Sequence, residues 1–171
     1  MKYLIWLFSI FFLLVIQIGA LMPLQITAVN LILVFLVVAI VISDFDTSLA
    51  IALIGGVMLD LISGSADGII SMTMFSIFLI MYFILHTLLH KEPSMLILFS
   101  SVAITTIIYF FVFLGLNSIF LVFHLNHVMD YKYFFGDKLI SNLFFNLLFT
   151  YPVYKYYSVV QSWVTHLKSK I

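Results

Sequence analysis

No Asp, Glu, Lys or Arg occurs between Lys2 and Asp44. A water-soluble fold interrupts its apolar runs with charge every few residues, so a stretch of this length has to fold with lipid as its main solvent. Composition agrees. The 171 residues are 65% hydrophobic and 8% charged, with a mean hydropathy of +1.28. Soluble domains run near 45–50% apolar and about 25% charged. A soluble enzyme, a nucleic-acid binder and a disordered segment are all excluded. The formal net charge is zero, which leaves no long-range field to gather nucleic acid or an acidic substrate. Arg is absent, and with it the bidentate grip on phosphate that Arg provides. Cys is absent too, which removes disulfides, thiolate metal sites and a Cys nucleophile.

The few charges act as punctuation. The run after Lys2 is too long for one crossing, and Pro23, Gln25, Thr27 and Asn30 break it. Six helices follow, over about 3–21, 28–43, 47–63, 69–89, 94–122 and 139–157. They make one transmembrane domain over residues 1–171, with a tail at 158–171. Asp46 or Thr47 is expected to cap helix 3, and Asp67 to cap helix 4. Helix 6 is expected to bend or end near Pro152. The tail places Val159, Val160, Trp163, Val164 and Leu167 on one face, as a helix lying in the membrane interface would. The start, Met1-Lys2-Tyr3 before an apolar run, looks like a signal peptide. No small-x-small cleavage site follows, so it reads as a retained helix.

Lysine placement sets the expected orientation. With six crossings, Lys2, Lys91, Lys155, Lys168 and Lys170 fall on one side, and Lys132 and Lys138 on the other, offset by Asp130 and Asp137. Both termini are then cytoplasmic. Tyr151, Tyr154, Tyr156, Tyr157 and Trp163 form an aromatic belt at that face.

The stretch with most information runs from Gly55 to Gly68. Ser48, Ala52, Gly56, Asp60, Gly64 and Gly68 recur every four positions, and neighbours in such a row share a helix face. Small faces let backbones approach closely in lipid, so helix 3 is expected at the packed centre of the bundle. Asp60 lies in that face. A carboxylate inside a span costs up to roughly 3 kcal/mol on insertion scales, so it needs a partner. It can serve as a docking or ligand contact. It can also accept hydrogen bonds from the first N–H groups of helix 4, across the Ser63–Gly68 turn. The two roles are compatible.

The pattern Gly56-x-x-x-Asp60-Leu61-x-Ser63-Gly64-x-x-x-Gly68 resembles the signature of the MreD family, membrane subunits of the bacterial rod-shape complex. Asn30-Leu31, thirty residues before the Asp, extends the resemblance upstream. Asn146 and Pro152 in helix 6 resemble the family's Asn-then-Pro pattern. Val29 stands where the family often has Pro, and the tail lacks the family's Arg residues. The resemblance implies an all-α six-helix transmembrane bundle, similar to the S components of energy-coupling-factor vitamin transporters. It further implies a non-catalytic protein of the bacterial cytoplasmic membrane that acts in cell-wall elongation. Its implied partners are MreC, MreB, RodA and a class B penicillin-binding protein, with no cofactor. A substrate-binding S component is the alternative. Those proteins carry an Ala-x-x-x-Ala-like face on helix 1, where this chain has Trp6, Phe8, Phe11 and Phe12.

Other constellations read as structural. His86 and His90 have metal-ligand spacing but sit as interfacial residues at a helix end. His124-x-x-His127 lacks a third ligand beyond Asp130, and Asp44-x-Asp46 reads as helix capping. No rhomboid-like Gly-x-Ser-Gly, His-Glu-x-x-His or P-loop is present. Asp60 has no second intramembrane acid opposite it, which disfavours an aspartyl protease or a proton relay. The Phe and Met residues read as lipid-facing or filler, with Phe78 taken as a lipid-facing position.

Overall fold

The computed structural model describes residues 2–21, 29–63, 68–88, 94–122 and 137–168. These form α1 (Lys2–Ile16), which runs into a π-helical turn at Gln17–Leu21, then α2 (Leu31–Ile42), α3 (Phe45–Ser63), α4 (Ile69–Leu88), α5 (Met95–Val122) and α6 (Asp137–Lys168). The described chain is all-helical. By length and composition four helices can cross a membrane, over Tyr3–Leu21, Phe45–Ser63, Ile69–Thr87 and Met95–Phe120.

Pairs of touching residues fix the directions of the helices. Gln17 meets Leu31 and Trp6 stacks on Tyr157. Asn30 meets Asn146, and Ser43 meets Tyr157, so α2 and α6 are parallel and α1 runs against both. Phe45 packs on Phe78 and Tyr82, while Asp60 reaches Ser71, so α3 and α4 are antiparallel. The bundle therefore has two ends. One carries Trp6, Ser43, Phe45 and Tyr82. Gln17, Asp60 and Gly68 lie towards the other.

The centre of the bundle is α2, not the expected α3. Every residue from Leu31 to Ile40 is buried, and α2 packs against each of the other five helices. The physical reason lies in its sequence, LILVFLVVAIVI, which is apolar all round. A helix with no polar face has no side to turn outwards. Its 12 residues rise only about 18 Å, less than a hydrocarbon core of about 30 Å. A helix surrounded by protein need not match the lipid. By contrast α3 exposes Leu53, Val57 and Leu61.

The small-residue face of α3 nevertheless does what such a face does in lipid. A Cβ added to Gly56 would lie 2.7 Å from Ser71 Cα, and one added to Gly55 would lie 2.6 Å from Ile32 Cγ2. The two glycines thus set how closely α3 approaches α4 and α2.

Several boundaries differ from expectation. Helix 3 begins at Phe45, preceded by Asp44 in the cap position rather than Asp46 or Thr47. The Asp44 carbonyl accepts the Ser48 N–H at 3.2 Å, and its carboxylate accepts the Thr47 hydroxyl at 2.6 Å. Helix 6 neither ends near Pro152 nor gives way to a separate tail; it continues to Lys168. Val153, Tyr157, Val160 and Val164 are buried and recur at spacings of four and three. One apolar stripe therefore passes through both segments. Within the expected interfacial face, Val164 is 6% exposed and Trp163 is 64% exposed, so that face is split between bundle and surroundings. Tyr157 also leaves the expected belt. It is buried against Trp6 (5.0 Å between ring centroids) and Phe35 (5.2 Å), and it hydrogen-bonds Ser43. Phe78, read as lipid-facing, is fully buried because its ring packs under Phe45 and Tyr82. The expected Asp67 cap, His90, His124 and His127 lie outside the described residues.

Candidate functional site: two polar latches at helix starts

A helix start leaves its first backbone N–H groups without partners inside the helix. In a membrane bundle there is little water to satisfy them, so side chains must. The motif residues of this chain are placed at two such starts.

The first is α4. Asp60 lies one turn before the end of α3 and is 7% exposed. Its Oδ1 accepts the Ile70 N–H at 3.0 Å, its Oδ2 accepts the Ser71 N–H at 2.8 Å, and the Ser71 hydroxyl donates to the same Oδ2. Ile70 and Ser71 are the second and third residues of α4. A carboxylate there completes the orphan donors and faces the positive end of the helix dipole. Asp60 is thus a cap supplied from another helix, as one of its two expected roles requires. Gly56, one turn earlier, removes the side chain that would hold α4 away. The Ser63 hydroxyl turns back to the Asp60 carbonyl at 3.2 Å. Gly68 precedes α4 with φ +71, a left-handed conformation that glycine adopts without strain. Gly64 lies outside the described residues. Tyr109 of α5 stands within electrostatic reach of the Asp60 carboxylate.

The second latch is at α2. Asn30 caps it, its Oδ1 accepting the Leu33 N–H at 3.0 Å. The Asn30 N–H donates to Asn146 Oδ1 at 2.9 Å, and Asn146 Nδ2 donates to Thr106 Oγ1 at 3.0 Å. The Leu31 N–H donates to Gln17 Oε1 at 3.0 Å. Four helices, α1, α2, α5 and α6, are tied at this point. Asn146 lies nine residues into α6, about 14 Å along its axis. The start of α2 is therefore deep in the bundle, where unsatisfied N–H groups cost most.

The seven expected site residues that lie among the described residues do not form one pocket. Gly56, Asp60, Ser63 and Gly68 gather at the α3–α4 junction, and Asn30 meets Asn146. Pro152 stands apart, exposed on α6 beside an apolar groove. Sequence reading missed Ser71, Gln17 and Thr106. Gln17 carried a signal, as the lone amide in a strongly apolar first helix. Ser71 and Thr106 carried none, because a hydroxyl in a membrane helix ordinarily bonds its own helix carbonyls, as Thr106 also does with Val102. Among the described residues no cluster of His, Cys, Asp or Glu could hold a metal ion. His86 stacks on Tyr82, 4.6 Å between ring centroids.

No curated protein and no solved structure matches this chain. A family profile described as rod shape-determining protein MreD matches residues 1–160. That span holds both latches and all but the last turns of α6, and the chain belongs to the MreD family of rod shape-determining proteins.

Proposed function

We propose that this protein is a non-catalytic scaffold of the cell-wall elongation machinery in the bacterial cytoplasmic membrane. Family membership carries the role in rod shape. The scaffold reading rests on how the motif chemistry is used. Asp60, Asn30 and Asn146 each hold a backbone N–H at the start of a helix. These polar groups shape the bundle, and recognition falls to its surfaces. Those surfaces are broad and apolar: Leu53, Val57 and Leu61 on α3, and Phe75, Leu79 and Phe83 on α4, are exposed. Such faces suit the transmembrane helix of a single-span, MreC-like protein. MreB, RodA and a class B penicillin-binding protein would join through the same assembly.

In this reading the chain crosses six times with both termini cytoplasmic, following the lysine distribution. The α2 crossing is made inside the bundle, and residues 29–30 extend it. The transporter alternative is disfavoured by α1, whose outward face carries Phe8, Phe11 and Phe12 in place of a small-residue docking face.

Co-purification from native membranes in mild detergent tests the scaffold. Recovery of a single-span coiled-coil protein, with cells rounding on depletion, is the expected result. Isolation of the protein alone, with normal cell shape after depletion, refutes it. A small molecule retained through purification turns the reading to the transporter. The absence of Cys makes the topology testable with single introduced thiols. Ser65→Cys should react with an impermeant reagent in intact cells, and Ser169→Cys only after lysis.

A further inference from the structure

The exposed apolar stripe of α3 ends in a charge. Leu53, Val57 and Leu61 are all exposed. Asp46 stands about two turns before Leu53, and at about 100° per residue the four side chains fall within about 80° of one another. Asp46 is exposed as well. Asp44 already serves the start of α3, its carboxylate accepting the Thr47 hydroxyl and its carbonyl the Ser48 N–H. Among the described residues Asp46 makes no hydrogen bond or ion pair. Its carboxylate gains from the helix dipole, as any acid in a first turn does, and its charge is left without a cation.

That charge is unusual for its end of the bundle. Lys2 lies about one turn before Trp6, and Lys155 lies just before Tyr157, on which Trp6 stacks. The end that carries Asp46 is therefore the lysine-bearing one, the cytoplasmic face in the proposed topology. Single transmembrane helices carry Lys or Arg at that same face, just outside their apolar run. A helix laid along Leu53, Val57 and Leu61 thus brings a cation to the height of Asp46. Its apolar length covers the stripe and its basic flank meets the carboxylate. A phospholipid in the same place sets its phosphate against that carboxylate.

We propose that the transmembrane helix of a single-span partner lies along the exposed stripe of α3, with a Lys or Arg on its cytoplasmic flank paired to Asp46. This rests on the scaffold reading and adds to it the partner's charge and its height in the membrane. The register follows from α3. Leu53 and Leu61 are about 12 Å apart along the helix, and Asp46 lies about 10 Å beyond Leu53 on the other side. The basic residue of the partner therefore stands about two turns from the residue that faces Leu53, on the side away from Leu61. An exposed ion pair changes an equilibrium by up to about fivefold.

Photocrosslinking in the native membrane reads both the register and the charge. The photoreactive amino acid p-benzoylphenylalanine replaces Leu53 or Leu61 in the full chain, and peptide sequencing locates the residue that each site captures. Both sites should capture one transmembrane helix, at positions about two turns apart, with a Lys or Arg where the register places it. Asp46→Asn should lower the yield by up to about fivefold and Asp46→Lys by about tenfold, since it replaces attraction by repulsion. Both variants should melt in detergent within a few degrees of the parent, because Asp46 holds no other residue. Changing the captured helix's Lys or Arg to Glu should lower the yield with the parent chain and restore it with Asp46→Lys. An undiminished yield in Asp46→Lys overturns the proposal. So does a captured helix without a basic residue at that height, or capture of lipid or a second copy of this chain alone. If a single-span protein still co-purifies in those cases, the scaffold reading stands without this contact; if none does, both fall.

Discussion

Replacing Asp60 by Ala separates a residue that shapes the bundle from one that only meets a partner. The change removes acceptors from the Ile70 N–H, the Ser71 N–H and the Ser71 hydroxyl. Each buried donor left without an acceptor costs about 1–3 kcal/mol, and loss of a helix cap by itself costs about 1 kcal/mol. The Ser71 hydroxyl can turn to a carbonyl of its own helix, and Ile70 and Ser71 are only half-buried, so water recovers part of the loss. A total of about 2–4 kcal/mol remains. For a chain of this size 1 kcal/mol moves the melting temperature by about 2–4 °C, so Asp60→Ala should melt roughly 5–15 °C lower. Asp60→Asn should fall between, because its single carbonyl can serve one of the two N–H groups while its amide confronts the other. The measurement is thermal unfolding of the purified protein in detergent, followed by loss of the monodisperse peak in size exclusion. If Asp60→Ala melts within a degree of the parent while cells lose their shape, the capping argument fails and Asp60 is a partner contact.

Gly56→Leu should prevent folding or lower the melting temperature by more than 10 °C, because its side chain meets Ser71 backbone atoms at 2.7 Å; Phe83→Leu, at a position 71% exposed on α4, should melt like the parent in the same assay. Asn30→Ala and Asn146→Ala should each destabilise by about 1–2 kcal/mol. A denaturant-based double-mutant cycle should find them coupled by at least about 0.5 kcal/mol, and strict additivity would show that the Asn30–Asn146 bond contributes nothing. Val164→Asp should destabilise the bundle and Trp163→Asp should not. Equal tolerance of both would mean that the end of α6 lies apart from the bundle.

Much of the fold was legible because charge is so sparse. Lys2, the Asp44–Asp46 pair and the Ser63–Gly68 turn mark helix boundaries that the structure reproduces to within a few residues. The Asp60 environment was legible for the same reason, since a lone carboxylate in a small-residue row has few ways to be satisfied. The position of α2 was harder to read. A fully apolar helix looks the same whether lipid or protein surrounds it, and the row of small residues drew attention to α3 instead. The end of α6 was misread because Val160 and Val164 fit an interfacial face and a bundle face equally well. Only the continuation of the stripe from Val153 and Tyr157 distinguishes them. The Asn30–Asn146 bond joins residues 116 positions apart, and no local pattern encodes such a pairing.

The two latches share a physical logic that bears on where partners bind. In each, a side chain from one helix satisfies the backbone start of another: Asp60 of α3 for α4, Asn146 of α6 and Gln17 at the end of α1 for α2. A bundle in lipid gains little from apolar burial between helices, because lipid tails are as apolar as leucine. Bonds to otherwise orphaned N–H groups therefore specify which helices are neighbours and at what height. The motif of this chain is, on this argument, a set of instructions for assembling the bundle. Substitutions in it should disturb every partner alike, through the fold. Substitutions that separate one partner from another should lie instead on the exposed faces of α1, α3, α4 and α6. An alanine or tryptophan scan scored for cell shape should sort the positions accordingly. Asn30, Gly56, Asp60 and Asn146 should lose both protein level and function. Surface positions such as Phe8, Val57, Leu61 and Phe83 should include some that lose function at normal protein level. If the latch variants accumulate and melt normally but lose one partner selectively, the motif is itself a binding site and this division of labour is wrong.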